Sequence, residues 1–330
     1  MNLQNRIHIL SRLGKYILDD SHAWKAVKQR AFQKNPWFIP GFIDHACTQI
    51  ATQFLDEEKL VNWLKRYSVA DEPDYPKKVG IVMAGNIPLV GFHDFLSVFI
   101  AGHDPVIKLS SKDDILLPFL TDCLKQWAPQ LEKNITFANM LRGADAYIAT
   151  GSDNTARYFE YYFSKHPSII RRNRTSVAVI DGTESMAELE KLADDVHLYF
   201  GLGCRNVTKC YFPEAYDYLP LLEAFGKYGF FADHSKYRNN YDYNLAIQIM
   251  NNGYYMTNGS ILLVESAQLF SPISQLNYEK NNNPHASLLQ DAEKIQCVVG
   301  HTGLGFGTTQ QPGLGEYADG IDTLQFLQEL

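Results

Sequence analysis

Among the side chains that can do chemistry, Cys204 is the one its neighbours present most openly. It stands in Phe200-Gly201-Leu202-Gly203-Cys204-Arg205-Asn206, directly behind a Gly-x-Gly turn and ahead of the apolar run Val207 to Phe212. A thiol placed there is a candidate nucleophile, because neighbouring backbone N–H groups or a cation such as Arg205 would lower its pKa and cradle a developing oxyanion. The chemistry this predicts is acyl transfer through a thioester on Cys204. Free cysteines are more often small buried hydrophobes, and Cys47, Cys123 and Cys297 read that way. Cys210, inside the apolar run, is a weaker candidate.

Bulk properties narrow the classes. A chain of 330 residues with 45% hydrophobic composition is long enough for roughly two domains with real cores. With 37 acidic against 30 basic residues and a formal net charge of -7, nothing points to nucleic acid or to an anionic membrane surface. Five cysteines without a framework of spacings argue for a reducing compartment. No signal-peptide hydrophobic region and no bilayer-length apolar run stand out, so a soluble, cytoplasmic protein is expected. The aromatic residues, 19 Phe, 19 Tyr and 4 Trp, either fill cores or line a channel for a long apolar substrate.

The elements that must position the thiol follow from periodicity. Residues 3 to 18 form one amphipathic helix, Pro36 to Gly41 breaks the pattern, and a second helical stretch runs from about Ile43 to Arg66. These residues, 1–75, read as a helical segment packing on the domain that follows. Val79 to Ala84 is a buried strand, Leu89 to Ala101 a helix and Pro105 to Leu109 a strand, which makes a βαβ crossover and so a parallel sheet. Further strands are expected at 135–137, 146–150, 176–180, 207–212, 260–264 and 295–299. Residues 275–285, rich in Asn, read as a loop.

Three other features carry open readings. Gly151-Ser152 at a strand-to-helix junction suits a phosphate, or caps a helix and no more. Arg171, Arg172 and Arg174 grip an anionic tail, or lie solvated or in intrachain ion pairs. The glycines from Gly300 to Gly307 suggest backbone passing close to a ligand or to another backbone.

The order of these pieces resembles the acyl-CoA reductase family related to bacterial luminescence fatty-acid reductases, within the aldehyde dehydrogenase superfamily. Ala84-Gly85-Asn86-Ile87-Pro88-Leu89 looks like the segment whose Asn completes the oxyanion hole. Lys108-Leu109-Ser110-Ser111 looks like the strand end whose Lys holds the cofactor's adenosine ribose, and Thr150-Gly151-Ser152 like the turn beside its phosphates. Gly203-Cys204 matches the catalytic segment. Leu269-Phe270-Ser271-Pro272-Ile273 resembles the segment near the nicotinamide ribose, and 306–322 the closing segment and tail.

The resemblance covers roughly 76–325. It implies an α/β fold with a Rossmann-type cofactor domain over 76–180, a catalytic α/β domain over 181–300 and a closing segment over 301–330. No metal is implied. An acyl-activating partner protein is compatible with it, as is a homo-oligomer.

Two departures shape the expected chemistry. Oxidising relatives carry a Glu where this chain has Ile170-Arg171-Arg172-Asn173, so hydrolysis of the thioester should be poor. NAD-preferring relatives place a Glu where Ser111 stands, so NADPH is the expected cofactor, with Gln268 replacing a ribose-binding Glu. The expected activity is reduction of a fatty acyl-CoA to the aldehyde. An acyl-phosphate reductase, or a non-catalytic binding protein of the same fold, is the alternative.

Overall fold

Runs of β-branched and aromatic residues collect here into two sheets, in two compact units. The computed structural model describes residues 1–330 apart from the side chain of Asp153. The first unit comprises Met1–Asn173 and Pro312–Leu330, the second Arg174–Gln311.

The first unit begins with four helices, α1 (Leu3–Leu18), α2 (His22–Lys34), α3 (Pro40–Gln49) and α4 (Glu57–Leu64). Asn2, Ser21 and Asp56 cap three of them by accepting from N–H groups of the first turn. Pro40, expected to break helical structure, instead opens α3, where its missing N–H costs nothing. Then follow β1 (Lys78–Val82), α5 (Phe92–Ile100), β2 (Asp104–Lys108), α6 (Leu116–Trp127), β3 (Thr136–Phe137), β4 (Ala146–Thr150), α7 (Asp153–Phe163) and β5 (Ser168–Arg171). The sheet is wholly parallel, in the order β3-β2-β1-β4-β5. Leu10 and Leu13 of α1 share one core with Val79 and Ile81 of β1 and Leu120 of α6, so the N-terminal helices are part of this unit's interior.

The second unit holds β6 (Thr175–Val179), α8 (Met186–His197), β7 (Val207–Phe212), α9 (Leu219–Phe225), α10 (Ser235–Met250), β8 (Tyr255–Thr257), β9 (Leu262–Glu265), β10 (Gln275–Lys280), α11 (His285–Gln290) and β11 (Ile295–Val299). Its sheet runs β11-β6-β7-β10-β9-β8, parallel except for the edge strand β8. A capping box, Ser185 with Glu188, starts α8.

Three expectations need correction. The Asn-rich stretch predicted as a loop contains β10, which lies between β7 and β9; buried Asn277 and Tyr278 face the interior, so the polar letters conceal a central strand. The unit boundary also differs from the expected break at 180/181, because β6 pairs with β7 and β11 and so belongs to the second sheet. The closing segment divides as well: 301–311 stay with the second unit, while 312–330, including a last helix α12 (Thr323–Gln328), pack in the first. No helix among the described residues is long and apolar enough to cross a membrane.

Candidate active site

In the first unit, six of the residues singled out by sequence gather at the carboxyl edge of one sheet. Lys108 ends β2, opposite Val82 of β1, and Val82 is in turn opposite Ala149 of β4. Asn86 therefore follows β1, Ser110 and Ser111 follow β2, and Gly151 and Ser152 follow β4. The strand order changes direction between β1 and β4, the topological switch point at which parallel sheets offer a crevice to ligands. Lys108, Ser111 and Ser152 are exposed, and Asn86 and Ser110 half-buried.

Ser152 is the N-cap of α7: its Oγ accepts from the Thr155 N–H and lies 3.0 Å from Thr155 Oγ1. Capping is thus present, and it leaves the hydroxyl at the surface of a helix N-terminus.

The arginine cluster resolves toward intrachain partners. Arg171 is buried, its Nη1 2.5 Å from Asp94 Oδ2 on α5 and its Nη2 donating to Thr323 Oγ1. Arg172 pairs with Glu160, and Arg174 donates to the Ile295 carbonyl. These contacts spread the three side chains over different partners instead of converging on one anion.

The second unit builds the cysteine turn. After α8 the chain passes through Tyr199 and Phe200 with φ of 56° each, a left-handed conformation that costs a non-glycine residue of order 1–3 kcal/mol. Burial holds them there: Phe200 packs its ring 4.4 Å from that of Phe231 and 4.6 Å from His234. His197, stacked on Tyr228, is pushed down to about 4 by burial and is neutral at ordinary pH.

The turn itself is fixed by Asn206, which no sequence signal singled out. Fully buried, its side-chain Oδ1 accepts from the Gly203 N–H at 2.8 Å, and its Nδ2 donates to the carbonyls of Leu198 (2.9 Å), Asp195 (3.1 Å) and Val196 (3.4 Å). One amide thus satisfies the frayed carboxyl end of α8 and closes the turn around Cys204. Ser176 Oγ on β6 adds a bond to the Cys204 carbonyl.

We predict that Asn206→Ala destabilises the protein by about 2–4 kcal/mol, since several buried backbone groups lose their partner. Asn206→Asp should fare no better, because a carboxylate would face three carbonyl oxygens. Urea denaturation measures both, and an Asn206→Ala midpoint equal to wild type would refute the clamp.

Cys204 is partly exposed, while Cys47, Cys123, Cys210 and Cys297 are buried. Burial pushes the Cys47, Cys123 and Cys210 thiols upward, away from the reactive thiolate. The Arg205 guanidinium, expected to serve Cys204, has Nη1 donating to Cys297 Sγ and the Thr309 carbonyl.

The Gln268–Phe270 segment is bonded to the strand that starts three residues after Cys204. Thr208 Oγ1 donates to the Leu269 carbonyl and Lys209 Nζ to that of Ala267, both at 2.9 Å. Asn277 of β10 donates to the carbonyls of Gln268 and Phe270, leaving both side chains exposed. This second buried asparagine clamp was hidden by the loop-like composition of 275–285.

In the glycine-rich segment the close neighbour is backbone: a β-carbon on Gly303 would stand 2.3 Å from the Val298 carbonyl oxygen. Buried Asp195 gathers the segment by accepting from the N–H groups of Gly307 and Thr309. His301 bridges Asp181 and Glu188 at 2.8 and 3.2 Å.

No family model matches the chain, and no curated protein matches it. Solved structures do. An aldehyde dehydrogenase of Mycobacterium tuberculosis complexed with NAD+ superposes with a TM-score of 0.65 at 12% identity, over 91% of this chain and 73% of that one. An indole-3-acetaldehyde dehydrogenase variant of P. syringae, in complex with NAD+ and IAA, gives 0.65 at 10% identity over 91% and 72%. An aldehyde dehydrogenase of Physcomitrella patens, in complex with the reaction product succinate, gives 0.62 at 11% over 91% and 74%. Likeness at such low identity speaks to the backbone, and with both sheets of the chain included in it, the protein has the aldehyde dehydrogenase-like α/β fold.

Proposed function

We propose that this protein is an oxidoreductase that reduces an acyl thioester, of the fatty acyl-CoA class, to the aldehyde, with NADPH as reductant. The observation that carries the reading is the cysteine turn: one thiol of five is left partly open, on a backbone held by a buried amide, in a fold shared with solved aldehyde dehydrogenases.

Cys204 supplies the thiolate. It attacks the thioester carbonyl, and collapse of the adduct expels the coenzyme A thiolate, so one thioester replaces another at nearly equal energy. The Cys204 N–H and the Asn86 amide are assigned to the oxyanion; losing such a donor costs about 3 kcal/mol of barrier. The donor set after β2 and β4 fits a nicotinamide dinucleotide: the Lys108 ammonium, the hydroxyls of Ser110, Ser111 and Ser152, and Gly151 at the start of α7, with Gln268 and Phe270 assigned to the nicotinamide end. When bound, the reduced cofactor supplies the hydride. The thiohemiacetal on Cys204 then breaks its C–S bond, releasing aldehyde and regenerating the thiol.

The Ile170–Asn173 stretch offers no carboxylate, and its Arg171 is locked against Asp94. Nothing in that stretch activates water against the acyl-enzyme, which favours reduction over hydrolysis.

The test is purified protein with NADPH and a fatty acyl-CoA, following absorbance loss and aldehyde formation. Acyl phosphate turned over in place of acyl-CoA would overturn the thioester assignment. Ser111→Glu should weaken NADPH by about tenfold, roughly 1.4 kcal/mol, through repulsion of the ribose phosphate, and leave NADH nearly unchanged. Equal loss for both cofactors would remove Ser111 from the ribose site.

A further inference from the structure

The loops that leave β1 and β2 are locked to each other. Gly85 packs so closely on the second loop that a β-carbon there would stand 2.6 Å from Ser110 Oγ and 3.2 Å from Lys112 Cβ. Four residues on, Leu89 is left-handed, with φ 56°, and its N–H donates to Asp113 Oδ2 at 2.7 Å. Asp113 in turn donates its own N–H to the Ser110 carbonyl at 3.0 Å. The short segment that carries Ser110 and Ser111 therefore also grips the loop that carries Asn86.

Asp113 Oδ1 is shielded from solvent without a hydrogen-bond partner. A carboxyl half-satisfied in a dry place is costly, and burial pushes it up to about 7. Its side-chain bond falls on a residue held in the left-handed region, a conformation that persists only where neighbours fix it.

Resting on the acyl-thioester reading for what the two loops do, we propose that Asp113 is the positioning residue for Asn86. It holds the 85–89 loop through Leu89 and ties it through Ser110 to the loop proposed to bind the cofactor. A cofactor settled on Lys108, Ser110 and Ser111 then stiffens the oxyanion donor without touching it.

The experiment uses the full chain as wild type, Asp113→Ala and Asp113→Asn. Hydrogen exchange without any ligand should be at least about tenfold faster at Leu89 in Asp113→Ala, with β1 and α5 unchanged. Asp113→Asn, which keeps an acceptor oxygen, should stay near wild type. In single turnovers of acyl-CoA, coenzyme A release should fall about 100-fold in Asp113→Ala, the loss expected for a misplaced reacting group, while NADPH affinity holds.

Unchanged exchange at Leu89 would overturn the proposal. So would parallel losses of acylation and NADPH affinity in Asp113→Ala and Asp113→Asn alike, since that pattern is general damage to the unit. Wild-type protein that releases no coenzyme A would sink the acyl-thioester reading, and exchange at Leu89 would still decide whether Asp113 holds the loop.

Discussion

Replacing Cys204 with alanine is expected to lower aldehyde formation by on the order of 10⁴-fold or more, with NADPH affinity and the unfolding midpoint unchanged. The size of the effect follows from the step removed: without the thiolate there is no acyl-enzyme, and hydride transfer has no bound thioester to receive it. Cys204→Ser should fare little better, because a hydroxyl at neutral pH is a far weaker nucleophile than a thiolate. Intact mass gives the direct check. Wild-type protein given acyl-CoA without NADPH gains one acyl group, and Cys204→Ala gains none. Cys210→Ala is the control, since that thiol is fully buried on β7 and its loss should leave the adduct in place. An acyl adduct that survives in Cys204→Ala would end the covalent mechanism.

The second large effect is on stability. Arg171 and Asp94 form an ion pair with side-chain exposures of 4% and 9%, and Arg171 also binds Thr323 at the start of α12. Removing one partner strands a charge inside the first unit, so Arg171→Ala and Asp94→Ala should each cost about 3–5 kcal/mol. The double replacement Asp94→Leu with Arg171→Met should recover most of that loss, because no charge is left to desolvate. Urea denaturation of the three variants tests this. A single variant that loses less than about 1 kcal/mol would mean that the surroundings solvate the survivor, as happens at surfaces.

These two sites differ in how far the sequence discloses them. Cys204 stands out in the sequence because a Gly-x-Gly turn before an apolar run is a local signal, and local signals survive in a string of letters. Strands β1, β4, β7 and β11 are legible for the same reason, as short apolar runs with turn residues at their ends. Arg171 stays ambiguous in the sequence because its partners stand 77 and 152 positions away, so three arginines together read equally as an anion grip, a solvated loop or intrachain ion pairs.

β10 fails for a related reason. Asn277 is a loop-former by composition, but inside a sheet its amide reaches two carbonyls of a neighbouring loop. Asn206 and Asp113 work in the same way, bonding to backbone groups of other segments, and backbone groups carry no letter. The proposed chemistry starts from a local signal in the sequence; the buried groups that hold its turn and loops leave no such signal.

The division of the chain bears on how the molecule is made. Residues 174–311 form a self-contained unit inserted between the two pieces of the first, whose interior is incomplete without buried Leu324 and Leu327 near the end of the chain. During synthesis the inserted unit has all its strands out of the ribosome while its host still waits for α12. The guest is therefore ready to fold before the host can finish, the reverse of the order in which the two begin to emerge.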